Sequence, residues 1–132
     1  MMVSRNKLHD ITTNPGYTAM RNNTLSGLIT YNIEDQECEI TSLNSLEEGI
    51  GIGTSLVEAV RNKAREAGCS RLFVITTNDN THALRFYQKY GFTIAAIYID
   101  SMNNARQLKP EIPFLGNDNI MIRDEIELEF MF

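Results

Sequence analysis

The run Glu48-Gly49-Ile50-Gly51-Ile52-Gly53-Thr54 constrains this chain more than any other stretch. Three glycines at alternating positions stand directly before an amphipathic helical pattern. The first N–H groups of a helix have no intrahelical partner, and the helix dipole adds positive potential there. Such a segment suits a phosphate or pyrophosphate. Glycine permits close approach of the ligand and a positive φ. A P-loop is excluded, because no Lys follows Gly53. A Rossmann fingerprint is excluded too: the spacing is Gly-x-Gly-x-Gly, and the preceding sequence reads as antiparallel strands. The ligand is therefore expected to be neither ATP nor a dinucleotide.

Around this run the pattern is regular. Residues 17–20 and 25–33 read as strands joined by the turn Arg21-Asn22-Asn23-Thr24, a hairpin. Residues 37–43 alternate and form a third strand. Residues 54–67 give the clearest helix, with Leu56, Val57, Val60 and Ala64 as its apolar stripe. Thr54 is expected to cap it and Gly68 to end it. Residues 71–76 are apolar on both faces and read as a buried central strand. A loop and cap at 78–81 lead into a short helix at 82–90, closed by Gly91, and a strand at 92–99. Residues 101–119 contain Pro110, Pro113 and Gly116 and read as a long loop with a helical turn early on. Residues 120–130 make the last strand. Its acidic positions Glu125, Glu127 and Glu129 share one face, expected to be solvated. The order β-β-β-α-β-α-β-β predicts a mixed sheet.

Composition excludes several classes. A chain of 132 residues suits one domain, and its net charge of −5 offers no basic surface for nucleic acid. No apolar run approaches the roughly 20 residues of a membrane span, and no signal-peptide core is present. A cytoplasmic protein without membrane contact is expected. Cys38 and Cys69 form no CxxC or Cys/His cluster, so both read as reduced packing residues and no metal is expected.

Two motifs at matching separation make the chain resemble the GNAT N-acetyltransferase superfamily. The first is Arg/Gln-x-x-Gly-x-Gly/Ala after a strand, here Glu48-Gly49-Ile50-Gly51-Ile52-Gly53, with Glu in the place of the usual Arg or Gln. The second is Asn-x-x-Ala-x-x-x-Tyr followed by Gly-Phe, here Asn80-Thr81-His82-Ala83-Leu84-Arg85-Phe86-Tyr87 and then Gly91-Phe92. The resemblance covers residues 17–99 well and the final strand more loosely.

What this resemblance implies is an α/β (α+β) fold: a mixed, mostly antiparallel central sheet with a splayed parallel pair and flanking helices. Residues 1–132 would form a single domain, with 1–16 a remnant of the family's N-terminal region. The implied co-substrate is acetyl-CoA. Its pyrophosphate would lie on Glu48, Gly49, Ile50, Gly51, Ile52, Gly53 and Thr54, with the Glu48 carboxylate turned to solvent. Its pantetheine would run between strands 37–43 and 71–76 and pair with backbone near Leu43 and Asn44. Asn80, Ala83 and Phe86 on the second helix would also contact it, Asn80 doubling as the helix cap. An amine would attack the thioester directly, and Tyr87 would protonate the leaving thiolate; a phenol pKa near 10 suits that task. Glu37 or Glu39 would be the base, or either is simply a solvated strand residue. His82 is a weaker candidate, and His9 has no assigned role.

The acceptor amine is not identified by the residues. A family member ordinarily has a strand and two helices before the hairpin, and the short segment here implies an open acceptor groove or a homodimer that covers it. Two rival readings follow: a CoA-binding or regulatory module of the same fold with lost or weak catalysis, and an interaction domain with no cofactor.

Overall fold

The computed structural model describes residues 2–4, 7–9, 14–45 and 51–132, the first two segments by backbone alone. Glu48, Gly49 and Ile50 lie outside the described residues. The described chain forms two compact units: Asp10–Phe73 with Met131–Phe132, and Val74–Phe130 with Met1–His9.

In the first unit, β3 (Gly16–Arg21), β4 (Thr24–Glu34) and β5 (Glu37–Ser45) form an antiparallel meander. Its two turns are Asn22-Asn23 and Asp35-Gln36, all at positive φ. The first is the hairpin the sequence predicts, and a polar Asn or Asp tolerates that conformation best. The helix α1 (Ile52–Glu66) buries Leu56, Val57, Val60 and Ala64, the predicted stripe. On the strands, Ile29, Tyr31, Cys38 and Ile40 are buried as well. Each fully buried aliphatic side chain contributes about 1.5–3 kcal/mol. Gly27 explains how closely α1 sits: a Cβ there would come within 2.7 Å of Ile52 Cγ2 and 3.0 Å of Leu56 Cδ1. Only a glycine lets the first turn of the helix rest on β4. Gly68, at φ +79, ends the helix as expected.

Strand β6 (Arg71–Thr77) follows, adjacent to β5 in the sheet order β3-β4-β5-β6-β8-β7, where β7 is Thr93–Tyr98 and β8 is Glu125–Met131. β5 and β6, joined through α1, are the parallel pair of an otherwise antiparallel mixed sheet. The backbone N–H of Ser70 donates to Gln36 O at 2.8 Å, fixing the entry to β6 beside that of β5.

In the second unit, α2 (Thr81–Tyr90) leads to β7 (Thr93–Tyr98), α3 (Ser101–Leu108) and β8 (Glu125–Met131). β7 pairs antiparallel with β8. Tyr87, Tyr90, Phe92 and Phe130 form an aromatic cluster with ring centroids 5.1–6.0 Å apart. Within the first nine residues, β1 (Met2–Ser4) and β2 (Lys7–His9) make a small antiparallel hairpin, where the sequence shows only weak patterning.

Three expectations are corrected. The segment 101–119 is not mainly loop, because its first eight residues are the helix α3, which buries Met102 and Ala105 against Ile122. The rest is ordered by Arg106, a buried cation whose guanidinium donates to the carbonyls of Pro113 (2.8 Å) and Ile122 (2.5 Å) and stacks 4.4 Å from the Phe114 ring. The last strand begins at Glu125, not at residue 120, since the backbone of Ile122, Arg123 and Asp124 is spent on Phe114 O and the Asn78 side chain. The acidic face of that strand is not solvated: Glu125 is 2% exposed and Glu127 5%. The alternation is as expected, but both faces are covered: Leu128 on the apolar face is 0% exposed.

Candidate functional site

In the first unit, α1 opens on a glycine turn. Its N-cap is Gly51, in the left-handed region at φ 78°, ψ 12°. Thr54, expected as the cap, is already inside the helix. The correction has a physical reason: the left-handed glycine turns the chain into the helix without a capping side chain. Among the described residues no side chain bonds the first-turn N–H groups, and that turn carries no acidic residue. Among the described residues, nothing lies within 4 Å of where a Cβ on Gly51 would stand. Gly51, Ile52, Gly53 and Thr54 thus stand together, all exposed or half-buried. Leu43 and Asn44 occupy the end of β5 that leads into this turn, half-buried and exposed respectively.

The two strand carboxylates have different surroundings. Glu37 Oε1 accepts from Arg71 Nε at 2.6 Å. That guanidinium also lies 4.2 Å from the Phe73 ring. Glu39 is buried on β5. The cysteines are both buried and unbridged. Burial pushes the Cys38 thiol up to about 12, with Cys69 and Glu39 adding to the effect. A thiol held protonated in this way is a packing group and not a nucleophile.

In the second unit, Asn80 caps α2 as expected, its Oδ1 accepting from the Ala83 N–H at 3.1 Å. Asn80, Ala83 and Tyr87 follow one another at helical spacing and share a face, with Phe86 beside them. Tyr87 is the only fully buried residue of α2. Its ring meets Phe86 and Phe92 edge-on, each at 5.1 Å. Burial raises the phenol above its ordinary value, because the phenolate would lose its hydration. His82 is exposed.

The sequence misses the buried acidic pair on β8. Glu127 Oε1 accepts from the Tyr98 hydroxyl at 2.8 Å, and Glu125 sits opposite Tyr98 in the β7–β8 register. The alternation marks the strand but carries no signal that its acidic face is buried. Among the described residues no group of His, Cys, Asp and Glu is arranged to hold a metal ion. No helix of the described chain is long and apolar enough to cross a membrane.

Residues 3–92 match the Acetyltransferase (GNAT) family, and the chain belongs to it. The uncharacterized protein YdhI of Bacillus subtilis is 51% identical over 100 residues, covering 76% of this chain and 62% of that protein. The chain therefore spans less than two thirds of that relative's length. A Bacillus subtilis acetyltransferase in complex with CoA superposes with a TM-score of 0.78 at 27% identity, over 92% of this chain and 79% of that one. A GNAT family acetyltransferase from Elizabethkingia anophelis with acetyl-CoA bound gives 0.77 at 29% identity, over 92% and 78%.

Proposed function

We propose that the protein is an acetyl-CoA-dependent N-acetyltransferase acting on a primary amine. The observation that carries this reading is the start of α1, with Gly51 left-handed, unobstructed and free of acidic neighbours in the first turn. It fits the pyrophosphate of acetyl-CoA, the ligand type held by the two structural relatives. Gly51, Ile52, Gly53 and Thr54 would hold the pyrophosphate, together with Glu48, Gly49 and Ile50. Leu43 and Asn44 would offer backbone to the pantetheine, and Asn80, Ala83 and Phe86 would line it from α2.

When bound, acetyl-CoA supplies an activated acetyl group that an amine nitrogen can attack directly. Tyr87 then donates its proton to the departing sulfur. Glu37, paired with Arg71, and Glu39, buried on β5, are the two candidate bases. Reduced, buried thiols accord with a cytoplasmic location.

The test combines unfolding with turnover. Acetyl-CoA at 100 times its Kd is expected to stabilise the fold by about 2.7 kcal/mol. Release of CoASH is expected with at least one member of a panel of polyamines, amino acids and peptides. Stabilisation with no CoASH release from any amine would favour the CoA-binding module instead, and no stabilisation would remove the acetyl-CoA reading.

We also propose a homodimer. β7 is an edge strand of the sheet, and Ile94 (49% exposed), Ile97 and Ile99 lie open on or beside it. An unpaired apolar edge of this kind seeks a partner. Sedimentation velocity at micromolar concentration is expected to show a dimer, and an Ile97→Lys variant a monomer; a wild-type monomer would refute the proposal.

A further inference from the structure

The glycine turn has no cation of its own. Between Arg21 and Arg61 the sequence holds no Lys or Arg, and Glu47 and Glu48 stand just before the glycines. A pyrophosphate at Gly51–Thr54 would add negative charge beside those carboxylates. The dipole of α1 offsets only about half an elementary charge at its start. A phosphate ligand there calls for a cation from another element. Arg61 lies more than two turns into α1 and pairs with Glu58 at 3.4 Å. Lys63 and Arg65 lie in the last turn of that helix. Arg71 is bonded to Glu37, at the start of β5 and so at the far end from Ser45. Among the described residues of this unit, that leaves Arg21 as the cation at the glycine end.

The register puts Arg21 on the face that carries α1. Gly27 faces the helix, because a Cβ on it would stand 2.7 Å from Ile52 Cγ2 and 3.0 Å from Leu56 Cδ1. Ala19 is the partner of Gly27 across the β3–β4 ladder, and directly opposed residues share a face. Arg21 follows Ala19 by two positions and so shares it too. The irregularity beside it leaves this intact. The register passes from Ala19↔Gly27 to Met20↔Leu25, so the extra residue is Ser26 on β4, while β3 runs on unbroken. Exposure agrees: Tyr17 and Ala19 are half-buried, whereas Gly16, Thr18 and Met20 are exposed.

Arg21 also stands at the matching end. Gly27 pairs with Ser45, the last residue of β5, and the chain leaves Ser45 for the glycine turn. The pair Arg21↔Thr24 carries the hairpin about 10 Å past Gly27 in that direction. The tight turn Asn22-Asn23, both residues at positive φ, fixes this end of the hairpin. We infer that the Arg21 guanidinium pairs with the pyrophosphate of acetyl-CoA and supplies the positive charge that the glycine turn lacks. A planar fork of donors suits phosphate oxygens. This rests on the acetyl-CoA reading above.

The test uses binding, so no acceptor need be known. Calorimetry at low salt compares wild type, Arg21→Ala, Arg21→Lys and Lys63→Ala. The ligands are acetyl-CoA and its 3′-dephospho form, which keeps the pyrophosphate. Arg21→Ala is expected to bind acetyl-CoA about fivefold more weakly, the upper range of an exposed ion pair, with its ligand-free Tm unchanged. The loss is expected to be equal for the dephospho form. It is expected to fade in 1 M salt, where charges are screened within about 3 Å. Arg21→Lys keeps the charge and is expected to lose less than Arg21→Ala. Lys63→Ala removes the same charge from the other end of α1 and is expected to bind as wild type does. Wild-type affinity in Arg21→Ala would overturn the inference and leave the cofactor site standing. An equal loss in Lys63→Ala would do the same, as would a loss confined to acetyl-CoA, which would assign Arg21 to the 3′-phosphate. Binding of neither molecule by wild type would overturn both readings.

Discussion

Gly51→Asp is expected to abolish the stabilisation that acetyl-CoA gives the wild-type chain, while the variant still folds. The expected loss is the whole ligand-induced shift, about 2.7 kcal/mol at 100 times the wild-type Kd, or on the order of 10 °C in Tm. A carboxylate would be placed at the positive end of α1, where the pyrophosphate charge belongs. The variant should fold because the chain already holds an Asp in this geometry: Asp100 caps α3 at φ 63°, ψ 10°, beside 78° and 12° for Gly51. The position is also open, so an added side chain meets no neighbour. Backbone strain of about 1–2 kcal/mol remains, as for any L-residue in this region. Gly51→Ala carries the same strain without the charge and is expected to keep most of the ligand-induced shift. Equal loss in both variants would mean that geometry, not anion binding, governs the response.

The same glycine shows what was legible in the sequence. The run of three glycines marked the turn, and the helix after it followed from the spacing of Leu56, Val57, Val60 and Ala64. Thr54 was misread because a hydroxyl near a helix start ordinarily caps it; here the left-handed Gly51 moved the start two residues earlier. Asn80 was read correctly because its cap is local, reaching only to Ala83. Features set by distant partners were not legible. Nothing near Glu127 says that it is buried, since that depends on the register with β7 and on Tyr98. Arg106 orders the segment before β8 through carbonyls seven and sixteen residues away. The contact between Glu37 and Arg71 spans 34 residues and separates two carboxylates that the strand pattern left equivalent. The bulge that leaves Thr41 as an extra residue on β5 is concealed by strict alternation.

Tyr87→Phe is expected to lower turnover by about 10²- to 10³-fold, the usual worth of a positioned proton donor, with acetyl-CoA affinity unchanged. Burial raises the phenol's pKa, and the sign of that shift makes two further expectations. The folded protein keeps the phenol protonated through the pH range of any assay, so Tyr87 imposes no alkaline loss of rate below about pH 10. The acid limb belongs to the amine and its base. Tyr87→Phe should therefore lower the plateau without moving that limb. Stability behaves differently. Above about pH 10 the unfolded chain ionises Tyr87 while the fold does not, so stability falls as pH rises there. The Phe variant lacks this contribution. A phenol also matters less when the departing thiol is more acidic, because the leaving group then needs no proton. An aryl thioester in place of acetyl-CoA should shrink the deficit of the variant. Tyr87 sits between Phe86 and Phe92, and a purely structural aromatic there would give unchanged turnover with either donor. That result, in a variant of normal stability at pH 7, would assign Tyr87 to the core and leave the thiolate to take its proton from water.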